Sequence, residues 1–320
     1  MERLPNADKS AQHFSYMKLG FVSAIFPDLA LHEVLALAAV QGFSTVEVMS
    51  WPVGKAERRF AGVTHVDATN FSKAQADEVL ALTRQHGVSI SALGYYPNVL
   101  DPDESASERT VAHLKKVVAA APLLGLKNVN TFLGRDWTKS VDDNWPRLVK
   151  VWRPLIKFAE DHGVQIGIEN CPMSFGANEW PGGKNIATSP SIRRRLLSDI
   201  PSKHLGLNYD PSHFAMQFMD PISPLGEFRE KIFHMHAKDV EIQQDRLNEH
   251  GSFSHPGLWH QPRIPGYGVI DWARFMAALT GVGYEGPVCI EVEDDTFGKS
   301  LAGRQRALKV AGNFLRPYFA

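Results

Sequence analysis

The stretch Gly163-Val164-Gln165-Ile166-Gly167-Ile168-Glu169-Asn170 closes one element and opens another. Its first glycine can take the left-handed conformation that ends a helix, and the apolar run behind it reads as a short buried strand that finishes on a carboxylate. Three further runs in the second half of the chain finish the same way. Leu207-Asn208-Tyr209 leads to Asp210, His234-Met235-His236 carries its own imidazole, and Val288-Cys289-Ile290 leads to Glu291. In a barrel of parallel strands all the carboxyl ends open on one face, so residues far apart in sequence converge there. Two glutamates, an aspartate and a histidine at successive strand ends are therefore the parts of one divalent-metal site.

The unit around Gly163 recurs. Leu31, Val34, Leu35 and Ala38 fall at helical spacing, Gly42 ends that helix, and Ser44 to Val48 reads as a strand. Gly87, Gly125 and Gly283 stand in the same relation to Val88–Ala92, Asn128–Phe132 and Val288–Val292. Adding Lys18–Val22, Leu205–Tyr209 and Ile232–His236 gives eight strands with helical segments between them, which implies a closed (β/α)8 TIM barrel. The alternative, an open doubly wound sheet, lacks a Gly-x-Gly-x-x-Gly fingerprint after the first strand. The expected organisation is an N-terminal extension over 1–16 and a single barrel domain over 17–320. A long Pro-, Gly- and His-rich loop at about 239–268 lies on the active face, the natural place for a substrate lid or partner surface.

With 320 residues and 44% hydrophobic composition the chain buries one large core. Lys+Arg of 34 against Asp+Glu of 35 leaves a net charge of -1, with no global attraction for nucleic acid or an anionic membrane. No apolar run approaches the roughly 20 residues of a membrane span, and no signal-peptide core opens the chain. The two cysteines, Cys171 and Cys289, suit reduced buried thiols, so the expected location is cytoplasmic.

The motifs Ile168-Glu169-Asn170, Asp210-Pro211-Ser212-His213, His234-Met235-His236-Ala237-Lys238-Asp239 and Pro265-Gly266-Tyr267-Gly268-Val269-Ile270-Asp271-Trp272 continue through Gly283-Tyr284-Glu285-Gly286-Pro287 to Glu291. Over nearly its whole length the chain thus resembles the xylose isomerase-like barrel superfamily, the sugar phosphate isomerase/epimerase group. The resemblance implies that Glu169, Asp210, His236 and Glu291 bind one divalent ion, often Mn2+, and that the two glutamates exchange protons with a sugar between them. The residue types agree, because three carboxylates with one imidazole make a mostly hard oxygen site. Such a site suits Mn2+ or Mg2+, with Co2+ or Zn2+ as other candidates.

The expected reaction is that of a metal-dependent sugar isomerase/epimerase. A proton leaves the carbon next to a carbonyl, and the metal stabilises the charge of the resulting enediolate. Glu169 or Glu291 takes the proton. Return by the opposite glutamate to the other face epimerises, and return to the neighbouring carbon isomerises. The resemblance puts His213 against a substrate oxygen near the metal, while Lys238 faces either substrate or Glu293. Glu47 and Asn170 are candidate pocket residues, Trp259 is one of several aromatics for a sugar face, and Arg263 is a candidate anchor for a hydroxyl or phosphate. The ketose 3-epimerases of the superfamily place an arginine shortly after the metal histidine, where this chain has Ala237-Lys238-Asp239, which argues against a simple free ketohexose.

Two other functions stay open. A lyase of the same superfamily, a keto-inositol dehydratase or a 3-keto-glycoside C-deglycosidase, would use the same metal and glutamates and protonate the departing group, with His255 or His260 as candidate acids. An endonuclease IV-like DNA repair enzyme is the remote one, because the early strand ends lack the extra histidines it needs. The expected partner is a small carbohydrate or keto-sugar, and a homo-oligomer is possible.

Overall fold

The computed structural model describes residues 17–54, 61–174 and 182–319, so the extension expected over 1–16 lies outside the described residues. Eight parallel strands close into a barrel. In chain order they are β1 (Lys18–Val22), β2 (Thr45–Met49), β3 (Ser89–Gly94), β4 (Asn128–Thr131), β5 (Gln165–Glu169), β6 (Leu205–Tyr209), β7 (Ile232–Ala237) and, after a hairpin, β10 (Pro287–Ile290). The barrel shuts where β1 pairs with β10, Lys18 opposite Pro287 and Phe21 opposite Ile290. Small residues permit the tight strand approach. A Cβ on Gly20 would lie 2.3 Å from the Thr45 carbonyl oxygen, and one on Gly206 would lie 2.4 Å from that of Lys231.

The helices cover the barrel as the sequence pattern predicts. All five glycines of the repeat, Gly42, Gly87, Gly125, Gly163 and Gly283, have φ between +65° and +77°, the conformation in which a side chain is strained. Helix α4 (Val141–Asp161) buries Trp145, Leu148, Trp152, Leu155, Ile156 and Ala159 at helical spacing against the barrel. Its Ser140 side chain accepts from the Asp143 N–H at the N-terminus, and the Trp152 indole donates to the Leu133 carbonyl at 2.9 Å.

The predicted long loop is more ordered than its composition suggests. Strands β8 (Asp239–Ile242) and β9 (His260–Arg263) pair antiparallel, Asp239 opposite Arg263, with the short helix α8 (Gln244–His250) between them. The Asp239 carboxylate anchors the insertion. It accepts from the N–H groups of Val240, Gly266 and Ile270 and from the Trp272 indole at 2.8–3.2 Å. No helix among the described residues is long and apolar enough to cross a membrane.

Candidate metal centre

Parallel register brings the carboxyl ends of the strands level, with Glu169 opposite Asn208 and Cys289 opposite His236. Glu169 is the last residue of β5, Asp210 and Glu291 follow β6 and β10 directly, and His236 lies within β7. One ligand atom from each of these four lies within 4.8 Å of every other. His236 Nδ1 is 3.5 Å from Glu169 Oε1 and 3.6 Å from Glu291 Oε2. Glu169 Oε1 and His236 Nδ1 are buried with no hydrogen-bond partner among the described residues, and buried Asp210 Oδ2 has only ion-pair contacts, with Lys238 Nζ at 3.2 Å and His213 Nε2 at 3.4 Å. Leaving such atoms unsatisfied costs about 1–3 kcal/mol each. A divalent cation shared by the set would satisfy all three at once, so the residues present fit a metal.

Two of the candidate ligands, His236 and Asp210, are aimed by neighbours. Glu47 Oε2 accepts from His236 Nε2 at 2.6 Å, which turns Nδ1 toward the Glu169 and Glu291 carboxylates. The Tyr96 hydroxyl donates to Glu47 Oε1 and accepts from the Asn208 amide at 3.0 Å. Asp210 Oδ1 accepts from the Ser212 N–H and hydroxyl at 2.7 and 2.6 Å, which turns Oδ2 toward the set. The Asn170 side chain donates to the Asp210 carbonyl at 2.8 Å and accepts from its N–H at 2.9 Å. Glu47 and Asn170, expected along the pocket, are thus fully buried behind two of the ligands.

The other predicted residues divide between the site and its surroundings. His213 Nε2 lies 3.5 Å from Glu169 Oε1 and 3.4 Å from Asp210 Oδ2, beside the set. Lys238 Nζ is 2.6 Å from Glu291 Oε2, 3.0 Å from Glu293 Oε2 and 3.2 Å from Asp210 Oδ2, so the ion pair with Glu293 is one arm of a buried network. A cavity of about 40 Å³ opens over Glu169, Glu291 and Lys238, walled by Trp51, Tyr96 and Phe132. Arg263 is held in the hairpin by Glu241, by Asp294 at 3.1 Å and by Thr296 at 2.9 Å, and it does not line this cavity. Trp259 is buried against Phe218, their rings stacked 5.5 Å apart. His234 lies deeper in the barrel, bonded to Asn208 at 3.1 Å and Ser91 at 3.0 Å.

The electrostatics separate the two glutamates. Burial pushes the Glu169 carboxyl up, but His236, His213 and Lys238 together hold it well below the usual carboxylate range. Glu291 is pushed up to about 7 by burial, with Glu293 and Glu169 adding to the rise and Lys238 and His236 opposing it. His236 is raised despite its burial by Glu47, Glu291 and Glu169.

Sequence reasoning passed over Asn208 and Arg193. Asn208 is the single polar side chain within Leu205-Gly206-Leu207-Asn208-Tyr209, and that exception was the available signal. Arg193 sits in an arginine triplet that reads as helix surface, yet it is fully buried, its guanidinium 5.0 Å from the Tyr209 ring and 4.8 Å from the Phe214 ring on either side of the Asp210 turn.

Comparison with known proteins agrees with the barrel fold. An uncharacterised protein of Bacillus subtilis, YfiH, is 27% identical over 314 residues, covering 88% of this chain and 94% of that one. The inosose dehydratase of Lacticaseibacillus casei is 29% identical over 156 residues, 48% of this chain and 49% of that enzyme. A crystal structure of D-psicose 3-epimerase in the presence of D-fructose superposes with a TM-score of 0.66 at 16% identity, covering 95% of this chain and 99% of that one. Residues 35–318 match the model of one family, and this chain accordingly belongs to the xylose isomerase-like TIM barrel proteins.

Proposed function

We propose that this chain is a divalent-metal-dependent isomerase or epimerase that removes a proton from the carbon beside a carbonyl of a keto-sugar and returns a proton to the product. The observation that carries this reading is the meeting of Glu169 and Glu291 with Asp210 and His236, one ligand atom of each within 4.8 Å of every other. The four residues would hold one cation, Mn2+ by the hardness of the oxygen-rich set. When bound, that ion supplies Lewis-acid polarisation of the carbonyl and stabilises developing negative charge. Glu169, held ionised, takes the proton. Glu291, the other glutamate of the set, returns a proton to the opposite face or to the neighbouring carbon. Lys238 holds Glu291 in place, and Trp51, Tyr96 and Phe132 keep water from the reacting carbon. The two free thiols, Cys171 and Cys289, are consistent with a reducing cytoplasm.

The similarity to inosose dehydratase favours a second reading, a lyase. The same proton removal is then followed by cleavage of the C–O bond at the β-carbon. The electron pair leaves with the oxygen, which takes a proton and departs as water. His213, beside Glu169 and Asp210, is better placed to give that proton than His260, whose Nδ1 is bonded to the Pro256 carbonyl at 2.6 Å.

Deuterium uptake tests both. Manganese-loaded protein incubated in D2O with ketoses and keto-inositols, followed by mass spectrometry, is expected to place one deuterium on the carbon beside the carbonyl. Glu169→Gln is expected to slow uptake about 100-fold or more. A product lighter by one water selects the lyase. Absence of exchange with every keto compound, or unchanged exchange in Glu169→Gln and Glu291→Gln, refutes proton abstraction by these residues.

A further inference from the structure

His236 and Asp210 have hydrogen bonds that aim their side chains. Glu169 Oε1 has none among the described residues and lies 3.5 Å from both His213 Nε2 and His236 Nδ1. The place of its carboxylate therefore depends on where the backbone sets its Cα. That backbone stands just past the end of a ladder. β4 and β5 pair from Asn128 opposite Gln165 to Thr131 opposite Ile168, one residue short of Glu169.

Beyond the last pair a side chain takes over from the strand. Asn185 is fully buried in the connection between β5 and helix α5 (Pro190–Asp199). Its Oδ1 accepts from the N–H groups of Leu133 and Gly134 at 3.0 and 3.2 Å, and its Nδ2 donates to the carbonyls of Glu169 and Cys171 at 3.0 and 2.6 Å. A carboxamide offers two donors and two acceptor lone pairs, and all four are used. The amide thus extends the link from β4 to β5 where the strands no longer pair, and its two donations land on residues that line the cavity over the metal set. Its β4 side is itself fixed, because the Leu133 carbonyl accepts from the fully buried Trp152 of α4. The sequence lets the connection fold back this far through Gly183, at φ +62°, where a Cβ would lie 1.9 Å from the Pro172 carbonyl oxygen. On the other flank Asn170 bonds the N–H and carbonyl of Asp210. Glu169 is held between two side-chain amides, one reaching toward β4 and one toward β6.

We propose that Asn185 is a positioning residue of the metal centre, which fixes Glu169 through its backbone carbonyl so that Oε1 reaches the ligand set. The assignment rests on the metal reading of Glu169, Asp210, His236 and Glu291.

Asn185→Asp cuts the link on one side only. The carboxylate keeps an oxygen for Leu133 and Gly134 but has no N–H for the carbonyls of Glu169 and Cys171. A carboxylate added near the set would by itself tighten a cation, so weaker binding reports lost geometry. The matched control is Asn144→Asp. Asn144 is a buried amide of α4 that accepts from the Asp136 N–H at 2.8 Å and donates to the carbonyls of Asp136 and Ser140 at 2.9 and 2.8 Å, all outside β5. Both variants are expected to melt below the parent without metal, as loss of buried hydrogen bonds requires. Only Asn185→Asp should bind manganese about 10- to 100-fold more weakly by calorimetry. At saturating manganese it should also exchange deuterium into keto compounds about tenfold or more slowly, since a small misplacement of a reacting group is costly. Asn185→Ala, which buries no charge, gives the same readout if Asn185→Asp does not fold.

Manganese affinity within about threefold of the parent in the Asn185 variant, or an equal loss in Asn144→Asp, overturns the assignment. Absence of manganese binding by the parent overturns the metal centre and this inference with it, whereas parent binding that the Asn185 variant retains overturns this inference alone. A parent that binds manganese without exchanging deuterium sinks only the proposed reaction, and the affinities then decide the role of Asn185.

Discussion

His236 is aimed by a residue that touches no other candidate ligand. Its Nε2 is occupied by Glu47 and its Nδ1 faces Glu169 and Glu291. Replacing Glu47 by Gln exchanges a charged acceptor for a neutral one and releases the ring. Affinity for Mn2+ measured by calorimetry is expected to fall about 10- to 100-fold while the fold persists, and an unchanged affinity would remove Glu47 from the metal centre's support. His234, two residues earlier, behaves differently because burial pushes its imidazole down to about 4 from 6.5. Below pH 6.5 the unfolded chain takes up a proton that the folded chain refuses, so this group's contribution to stability is full above the unfolded value and is lost as pH falls toward 4. The loss is about 3 kcal/mol by pH 4. Urea unfolding across that range should show a shallower decline in His234→Gln than in the parent, and equal slopes would contradict the neutral buried imidazole.

At the scale of the element, the insertion between β7 and β10 depends on one carboxylate. The four donors to Asp239 come from the start of β8, from the turn at Gly266, from Ile270 and from the first residue of helix α9 (Trp272–Gly281). Asp239→Ala leaves four N–H groups without this acceptor. It is expected to destabilise the protein by about 2–4 kcal/mol and to expose residues 244–258 to limited proteolysis, whereas an undiminished Tm would show that the hairpin is held elsewhere. The strands that form the barrel were readable because most are short buried runs and five of them follow a helix-ending glycine. The hairpin was not. Its strands read Asp239-Val240-Glu241-Ile242 and His260-Gln261-Pro262-Arg263, too polar and too short for periodicity to separate from loop, and their pairing comes from cross-strand hydrogen bonds and the Asp239 anchor.

For the whole molecule, metal binding at this set would be linked to folding, because the candidate ligands come from β5, β7 and the residues following β6 and β10, and an unfolded chain does not bring them together. Manganese at 100 times its Kd is expected to add about 2.7 kcal/mol to stability, a rise in Tm of roughly 5 °C for a chain this long. Asp210→Asn should show little of that rise, and a parent Tm indifferent to manganese would refute the shared site. That Glu169, Asp210, His236 and Glu291 converge was legible because each lies at or near the end of a strand, and parallel closure carries strand ends to one face whatever the loops do. The same logic made the fold class legible, since eight helix-and-strand units in order have few ways to bury both faces of a sheet. Residues that act through others were hidden: Glu47 and Asn170 looked like pocket walls, Arg263 looked like an anchor, and Arg193 looked like surface. The sequence by itself determined which backbone segments form the barrel and which side chains stand at its mouth, because helix stops and apolar runs are local properties. Only the tertiary structure decided which of those side chains meet the cavity, which aim a ligand and which pair with one another. The deciding contacts join residues far apart along the chain, Asn170 to Asp210 over 40 positions and Glu47 to His236 over 189, and no local pattern records them.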